Sequence, residues 1–285
     1  MSAPPAILVF GKTGQVATEL RRLARVRAVG RDEADLADPA ACAALIAKSG
    51  AAAVINAAAY TAVDRAEAEE ACAQVINADA PGAMARACAD LGLPFVQIST
   101  DYVFDGSGSA PWPVDAPTRP LGAYGRTKLA GEQAVRAAGG VHAILRSSWV
   151  FSAKGNNFVR SMLRLGAERA QLRVVADQIG GPTPAAAVAA ACLRIAMALG
   201  AAPEKSGTYH FSGKPDTSWA EFARAIFAQA GLSAEVVDIP SAEYPLPAPR
   251  PANSRLDCHL TERAFGLPRP DWRQGLAQVL AQLQR

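Results

Sequence analysis

Tyr124 and Lys128 stand four residues apart in Tyr124-Gly-Arg-Thr-Lys128, a spacing that puts both on one face of a helix. A free tyrosine has a pKa of about 10. A nearby ammonium favours the phenolate and lowers that value, which suits a phenol that delivers a proton to a developing alkoxide. Upstream, Ser99-Thr100-Asp101-Tyr102-Val103-Phe104 follows the apolar run Phe95-Val-Gln-Ile98. Three polar side chains at the end of a buried strand need partners or a ligand. Thr100 can donate to a carbonyl oxygen; a helix-cap or turn cluster is the structural alternative.

A third group lies near the start of the chain. Gly11-Lys-Thr-Gly-Gln-Val-Ala17 reads G-x-x-G-x-x-A after the strand-like Ile7-Leu-Val-Phe10. Gly11 can turn tightly, Gly14 lets backbone approach a pyrophosphate, and Ala17 allows close helix–sheet packing. The helix that opens there, with Thr13, Gln15 and Val16 in its first turn, aims N–H groups at an anion. The motif predicts a dinucleotide site. Lys128 can then hold the nicotinamide ribose. At the end of the second strand-like run, Arg31 can pair with a ribose 2′-phosphate, which favours NADPH. Asp32 and Glu33 follow at once and leave NADH open, and a solvated loop charge is the other reading of Arg31. Asp35 and Leu36 are placed to flank the adenine. Asn56-Ala57-Ala58-Ala59-Tyr60 supplies small residues at a strand end, where a flat cofactor can lie against the backbone.

Positioning these groups requires strands that end at one rim. Short β-branched runs fall near 6–10, 26–30, 52–56, 94–98 and 142–146. Helix-like runs near 14–24, 39–48, 66–91 and 123–138 alternate with them, the third split near Pro81 because proline breaks helix interiors. This alternation predicts an α/β fold, a Rossmann-like doubly wound parallel sheet with ligands at the strands' carboxyl ends. We expect a dinucleotide-binding domain over 1–150. A smaller mixed α/β substrate-binding region follows over 151–285, with some segments returning to the sheet. There, helices are expected near 157–168, 184–199, 218–230 and 273–284, and strands near 172–176, 208–211 and 235–239. Tyr244-Pro-Leu-Pro-Ala-Pro-Arg-Pro251 is either a linker or an ordered loop lining a cleft, and the polar residues after it favour the cleft.

Composition narrows the classes. The 285 residues are 50% hydrophobic and 19% charged, which supports a packed core and argues against disorder. A net charge of +3 with scattered basic residues gives no footprint for nucleic acid. No apolar stretch reaches the ~20 residues of a membrane span. Met1–Pro5 leads into the first strand without the features of a cleavable signal. The five cysteines form no CxxC and read as buried or half-buried free thiols of a cytoplasmic protein. His142, His210 and His259 lack zinc-ligand spacing.

The cradle and Tyr-x-x-x-Lys resemble the extended short-chain dehydrogenase/reductase superfamily. Finer strings are similar to its dTDP-4-dehydrorhamnose reductase family. They are Phe10-Gly-Lys-Thr-Gly-Gln15, Asn56-Ala-Ala-Ala-Tyr-Thr-Ala-Val-Asp64, Ser99-Thr-Asp-Tyr-Val-Phe104, Tyr124-Gly-Arg-Thr-Lys-Leu-Ala-Gly-Glu132, Arg146-Ser-Ser-Trp-Val150, Gly155-Asn-Asn-Phe158, Asp177-Gln178, Arg250-Pro251 and Asn253-Ser-Arg-Leu256. The resemblance is collinear over nearly the whole chain. It implies NADPH-dependent reduction at C4 of dTDP-4-dehydro-β-L-rhamnose to dTDP-L-rhamnose. Tyr124 would supply the proton, Thr100 polarise the keto oxygen and Lys128 tune Tyr124. It also implies substrate contacts at Val63, Asp64, Asp101, Tyr102, Phe104 and Trp149, with core packing the other reading of Trp149. Asn253 and Arg255 become candidates for the thymidine diphosphate end, a structural ion pair being the rival for Arg255. Asn77 would support the active-site backbone.

One departure stands out. Some members of the family carry a glutamate cage for magnesium at a dimer contact, and Glu19 matches its first member. Ala186 stands where another carboxylate would lie, and Leu280–Arg285 holds no acid. One carboxylate is a poor magnesium site. The expectation is therefore no metal, a solvated Glu19, and a monomer or weak homodimer. Two alternatives share the scaffold. One is another sugar-nucleotide epimerase or dehydratase; a dehydratase would want an acid pair where Thr100-Asp101-Tyr102 supplies one. The other is a non-catalytic NADP-binding regulatory subunit, which need not keep the tyrosine–lysine pair.

Overall fold

Alternating apolar residues on short strands let two helical layers cover one sheet. The computed structural model describes residues 7–284, so Met1–Ala6 and Arg285 lie outside the described residues. β1 (Ile7–Phe10), β2 (Arg27–Val29), β3 (Ala53–Asn56), β4 (Phe95–Thr100) and β5 (His142–Ser147) are parallel, and Gly207–His210 joins them beside β5. The order across this six-stranded sheet is Gly207–His210, β5, β4, β3, β1, β2. The helices are α1 (Gln15–Leu23), α2 (Pro39–Lys48), α3 (Val63–Ala66), α4 (Glu70–Gln74), α5 (Ala80–Asp90), α6 (Ala123–Ala137), α7 (Phe158–Glu168), α8 (Ala185–Ala201), α9 (Trp219–Ala230), α10 (His259–Phe265) and α11 (Trp272–Leu283).

Val9, Ile55, Val96 and Leu145 pack with α1 and α8 on one face. Leu8, Phe10, Val54, Phe95 and Ile144 pack with α2, α5 and α6 on the other. This is the expected doubly wound sheet. The strand order reverses between β1 and β3, so a crevice opens between their carboxyl ends. α8 and Gly207–His210 come from the second half of the chain yet belong to this sheet. A second core, with Phe151, Phe222 and Trp272, gathers α7, α9 and α11 around the parallel pair Gln171–Val175 and Glu235–Ile239.

Three expectations need correction. The long third helical run does not split near Pro81. It continues from α4 through a π-helical turn, Val75–Asp79, into α5. Pro81 stands in the first turn of α5, and the chain is interrupted earlier, at 67–69. Glu19 is not solvated: it is 4% exposed, and Arg22 donates to its carboxylate at 2.7 Å. Cys72 is exposed, while the other four cysteines are buried free thiols. Among the described residues no helix is long and apolar enough to cross a membrane.

The proline-rich stretch is ordered. Asp64 accepts from the Ala248 N–H at 3.2 Å and from the Arg250 guanidinium at 2.8 Å, tying the strap to α3. The loop over 107–120 is anchored along its length. Asn253 donates to Ala110 O at 2.9 Å, Trp112 exchanges backbone bonds with Arg255 and Asp257, and Arg119 N donates to Val103 O at 2.9 Å.

Candidate active site

Gly11 leaves β1 at φ 111°, a conformation open to glycine. A Cβ there would meet the Ala57 backbone at 3.2 Å, so the turn and the end of β3 touch. Gly14 is the N-cap of α1, with no side-chain cap and no acid in the first turn. The free N–H groups of that turn and the positive end of the helix suit an anion. Gln15 and Val16 begin α1; Gln15 donates to Val150 O at 3.4 Å and accepts from Ser152 Oγ at 2.9 Å, linking the cradle to the second half. Thr13 is exposed at the rim. Across the crevice, Asn56 accepts from Ala58 N at 3.1 Å and fixes the half-buried Ala57, Ala58 and Ala59. These residues fit a dinucleotide at the switch point.

At the end of β2, Arg31 is exposed. Its acidic neighbours are engaged elsewhere: Lys12 lies 3.6 Å from Asp32 and 3.8 Å from Glu33, and Arg27 lies 3.9 Å from Glu33. Among the described residues Arg31 has no carboxylate partner. Asp35 is exposed, but Leu36 belongs to the core under this rim.

Asn77 lies in the π-helical turn and is 1% exposed. It accepts from Tyr60 N at 2.8 Å and donates to Tyr60 O and Thr127 Oγ1, each at 3.1 Å. This ties the end of β3 to α6. Tyr60 itself turns its hydroxyl to Glu69 at 2.5 Å.

α6 presents Tyr124 and Lys128 to the end of β4. Gly125 makes that approach possible, because a Cβ there would sit 2.2 Å from Tyr102 O. Tyr124 is half-buried, its ring edge-on to Tyr102 with centroids 5.5 Å apart. Burial pushes the Tyr124 phenol up to about 12, and a hydrogen bond from Thr100 opposes the rise. Lys128 is buried and donates to Ile98 O at 2.7 Å; burial brings its pKa down to about 8, with Glu132 opposing. The expected lowering of Tyr124 by Lys128 is not what sets the phenol here: burial raises it, and the Lys128 ammonium donates to a β4 carbonyl.

Thr100 caps the short 3₁₀ turn Asp101–Val103, accepting from Tyr102 N at 3.2 Å and donating to Asp101 at 3.1 Å. Asp101 is 2% exposed, and its Oδ2 has no hydrogen-bond partner among the described residues. Burial pushes its carboxyl up to about 6, opposed by the nearby Ser254 and Thr100 hydroxyls. Val63 and Asp64 begin α3, with Asp64 held by the strap. Trp149 has φ 49°, a strained value for a bulky residue. Its indole stacks on Trp219 with centroids 3.6 Å apart, so one face is covered.

Two predicted residues sit differently, and a third lacks its rival partner. Phe104 is fully buried, stacked on Trp112 with centroids 4.8 Å apart, and belongs to the core. Asn253 is 2% exposed and spends its amide on Ser107 O and Ala110 O. Arg255 makes no ion pair among the described residues; it donates to Asn253 Oδ1 at 3.0 Å. Ser254, the strand neighbour of both, faces Asp101 instead. Sequence reasoning also missed the clamp on α6. Glu67 accepts from Ala123 N at 2.8 Å, and Glu70 takes two bonds from Arg126, each 2.8 Å. Nothing local signals such a distant cap.

A phenol, a hydroxyl and an ammonium thus meet where the crevice reaches β4, an arrangement able to protonate a carbonyl oxygen beside a dinucleotide. Residues 5–285 match the family described as the RmlD substrate binding domain. A relative from Burkholderia thailandensis named dTDP-4-dehydrorhamnose reductase is 45% identical, with 97% of this chain and 98% of that one covered. One of the same name from Sinorhizobium fredii is 43% identical, with 96% of each covered. The solved dTDP-4-dehydrorhamnose reductase of Bacillus anthracis, in complex with NADP, matches with a TM-score of 0.91 at 32% identity, covering 98% of this chain and 100% of that one. With its glycine cradle, its Thr100–Tyr124–Lys128 cluster and full-length similarity of this order, the chain belongs to the dTDP-4-dehydrorhamnose reductase family.

Proposed function

We propose that this protein reduces the C4 keto group of dTDP-4-dehydro-β-L-rhamnose, giving dTDP-L-rhamnose, with NADPH as cofactor. The observation that carries the reading is the convergence of Tyr124, Thr100 and Lys128 at the end of β4, beside the cradle. Bound NADPH supplies the hydride to the keto carbon. The backbone at Gly11, Thr13 and Gly14, with the first turn of α1 at Gln15 and Val16, holds the pyrophosphate, and Ala57 to Tyr60 supports the cofactor along β3. Thr100 donates to the keto oxygen and Tyr124 delivers the proton to it. Lys128 would hold the cofactor's ribose, and Val63, Asp64, Asp101, Tyr102 and Trp149 border the sugar. Arg250, held by Asp64 at 2.8 Å and 16% exposed, adds a guanidinium to that rim. Arg255 remains the candidate for the diphosphate, with Asn253 shaping its loop. We place the enzyme in the cytoplasm, as a monomer or weak homodimer. The test is the product: incubation with NADPH and the ketosugar yields dTDP-L-rhamnose by chromatography, whereas recovery of unchanged ketosugar contradicts the reading.

Two expectations follow from the local chemistry. Arg31→Ala raises KM for NADPH at least tenfold and leaves KM for NADH within twofold, because a charge-assisted bond to the 2′-phosphate is lost. Equal changes for both cofactors would contradict this role. Activity falls as pH rises through about 8, where Lys128 gives up its proton, while Tyr124, held up to about 12, stays protonated. A pH–rate profile that is flat to about 9.5 would contradict the assignment of that limb to Lys128.

A further inference from the structure

Two buried polar atoms lack a partner among the described residues: Asp101 Oδ2 and Ser147 Oγ. Both flank Thr100. Ser147 ends β5 and lies opposite Thr100 in the parallel register. The faces are fixed by their neighbours. Ser99 and Arg146, also paired in register, both bond Glu132 on the α6 side. Side chains alternate along a strand, so Thr100 and Ser147 share a side at the carboxyl ends of β4 and β5, away from the Glu132 carboxylate. Ser147 is 4% exposed, and its neighbour Ser148 is satisfied by Gly181 O at 3.0 Å. The orphaned hydroxyl is therefore specific to position 147.

The surroundings converge on the same spot. Ser254 lies near enough to Asp101 to lower its carboxyl. The Ser254 Cβ and the Trp149 indole both crowd the point where a Gly180 Cβ would stand, at 3.0 and 2.8 Å. Trp149 and Ser254 thus meet at Gly180, Ser254 lies near Asp101, and Thr100 and Ser147 are paired in register beside it. A buried polar group left without a partner carries its full desolvation cost, so native structures keep such groups for a ligand or water.

We propose that Ser147 is a specificity residue: its hydroxyl and the free oxygen of Asp101 hydrogen-bond the sugar hydroxyl on the carbon next to the reacting carbonyl. The inference rests on the reductase reading above, since Thr100 holds the keto oxygen and Ser147 stands one strand across, about 4.8 Å away by strand spacing. A site built to pair a hydroxyl rejects the analogue lacking it, because its own buried groups are then left alone.

The test uses binding of dTDP-L-rhamnose, read by calorimetry, so turnover is not required. Ser147→Ala weakens dTDP-L-rhamnose about tenfold, the loss of roughly one hydrogen bond. It leaves dTDP alone and NADPH within twofold. It also melts at or above the wild-type temperature, because it removes an unpaired buried hydroxyl. A purely structural serine would do the reverse, lowering the melting temperature and sparing the sugar. Ser147→Cys, similar in shape but a weak donor, follows the alanine variant. A 3-deoxy analogue binds wild type and Ser147→Ala equally. Weakening confined to NADPH, weakening equal for dTDP alone, or an unchanged affinity for dTDP-L-rhamnose overturns the proposal. A wild-type protein that binds no dTDP-sugar overturns the reductase reading instead, and this proposal with it.

Discussion

Tyr124→Phe is expected to lower kcat by about 10²- to 10⁴-fold, the range a positioned general acid contributes. The phenylalanine ring keeps the edge-on contact with Tyr102 at 5.5 Å between centroids, so α6 stays where Gly125 and Glu67 hold it. What disappears is the proton. In the wild type, burial raises the phenol to about 12, so the donor is fully protonated at neutral pH. Handing the proton over leaves a buried phenolate, the form that burial disfavours, so the transfer is completed only with the developing alkoxide as acceptor. NADPH affinity should stay within twofold, because the cradle and Lys128 are untouched. Steady-state kinetics with a fluorescence titration of NADPH separates the two effects. A loss under about tenfold in kcat would mean that another group delivers the proton.

The largest stability effect is expected at Glu132→Ala, about 3–5 kcal/mol, the cost of breaking a buried ion pair by removing one partner. Glu132 is fully buried; it takes 2.8 and 2.7 Å bonds from Arg146 and a 2.6 Å bond from Ser99. Its deletion strands a guanidinium that is 3% exposed. Arg146 also donates to Val114 O at 3.1 Å and meets His210 Nε2 at 3.3 Å. That contact makes Nε2 the acceptor, so Nδ1–H donates to Trp112 O, 3.1 Å away. The 107–120 loop therefore loosens with the pair. Burial works against the Glu132 carboxylate, but Arg146 and Ser99 outweigh it and hold its pKa below the ordinary value. A carboxyl depressed in the folded state stabilises above its unfolded pKa of about 4.3 and loses that contribution as pH falls through the folded value. Urea unfolding at neutral pH and near pH 3 checks both points. The variant's deficit relative to wild type should narrow in acid as the folded carboxyl begins to take its proton, and a deficit that widens there would contradict the ion pair.

Local chemistry made the cradle and the Tyr124–Lys128 pair legible. Gly11 and Gly14 announce a turn and a close approach, and a four-residue spacing fixes a helix face whatever surrounds it. The sheet was legible for the same reason, since its strands are short apolar runs between amphipathic ones. Tertiary contacts hid the rest. The spacing said nothing of Ile98 O, which takes the Lys128 ammonium, or of the burial that raises Tyr124. Phe104 follows a polar site string yet turns into the core against Trp112. In the two-residue strand Asn253–Ser254, alternation sends Asn253 to the 107–110 loop and Ser254 to Asp101, and only the sheet decides which. The π-helical turn let Pro81 enter a continuing helix. α10, a seven-residue helix ending at a left-handed Gly266, carried too short a pattern to stand out.

The most direct test of the account follows NADPH absorbance in a single turnover, with wild-type protein and Tyr124→Phe side by side and dTDP-4-dehydro-L-rhamnose in excess. The wild type is expected to oxidise one NADPH per dTDP-L-rhamnose formed, and the variant to do so at least a hundredfold more slowly. NADPH that binds to the wild type but is not oxidised when the ketosugar is added would contradict it.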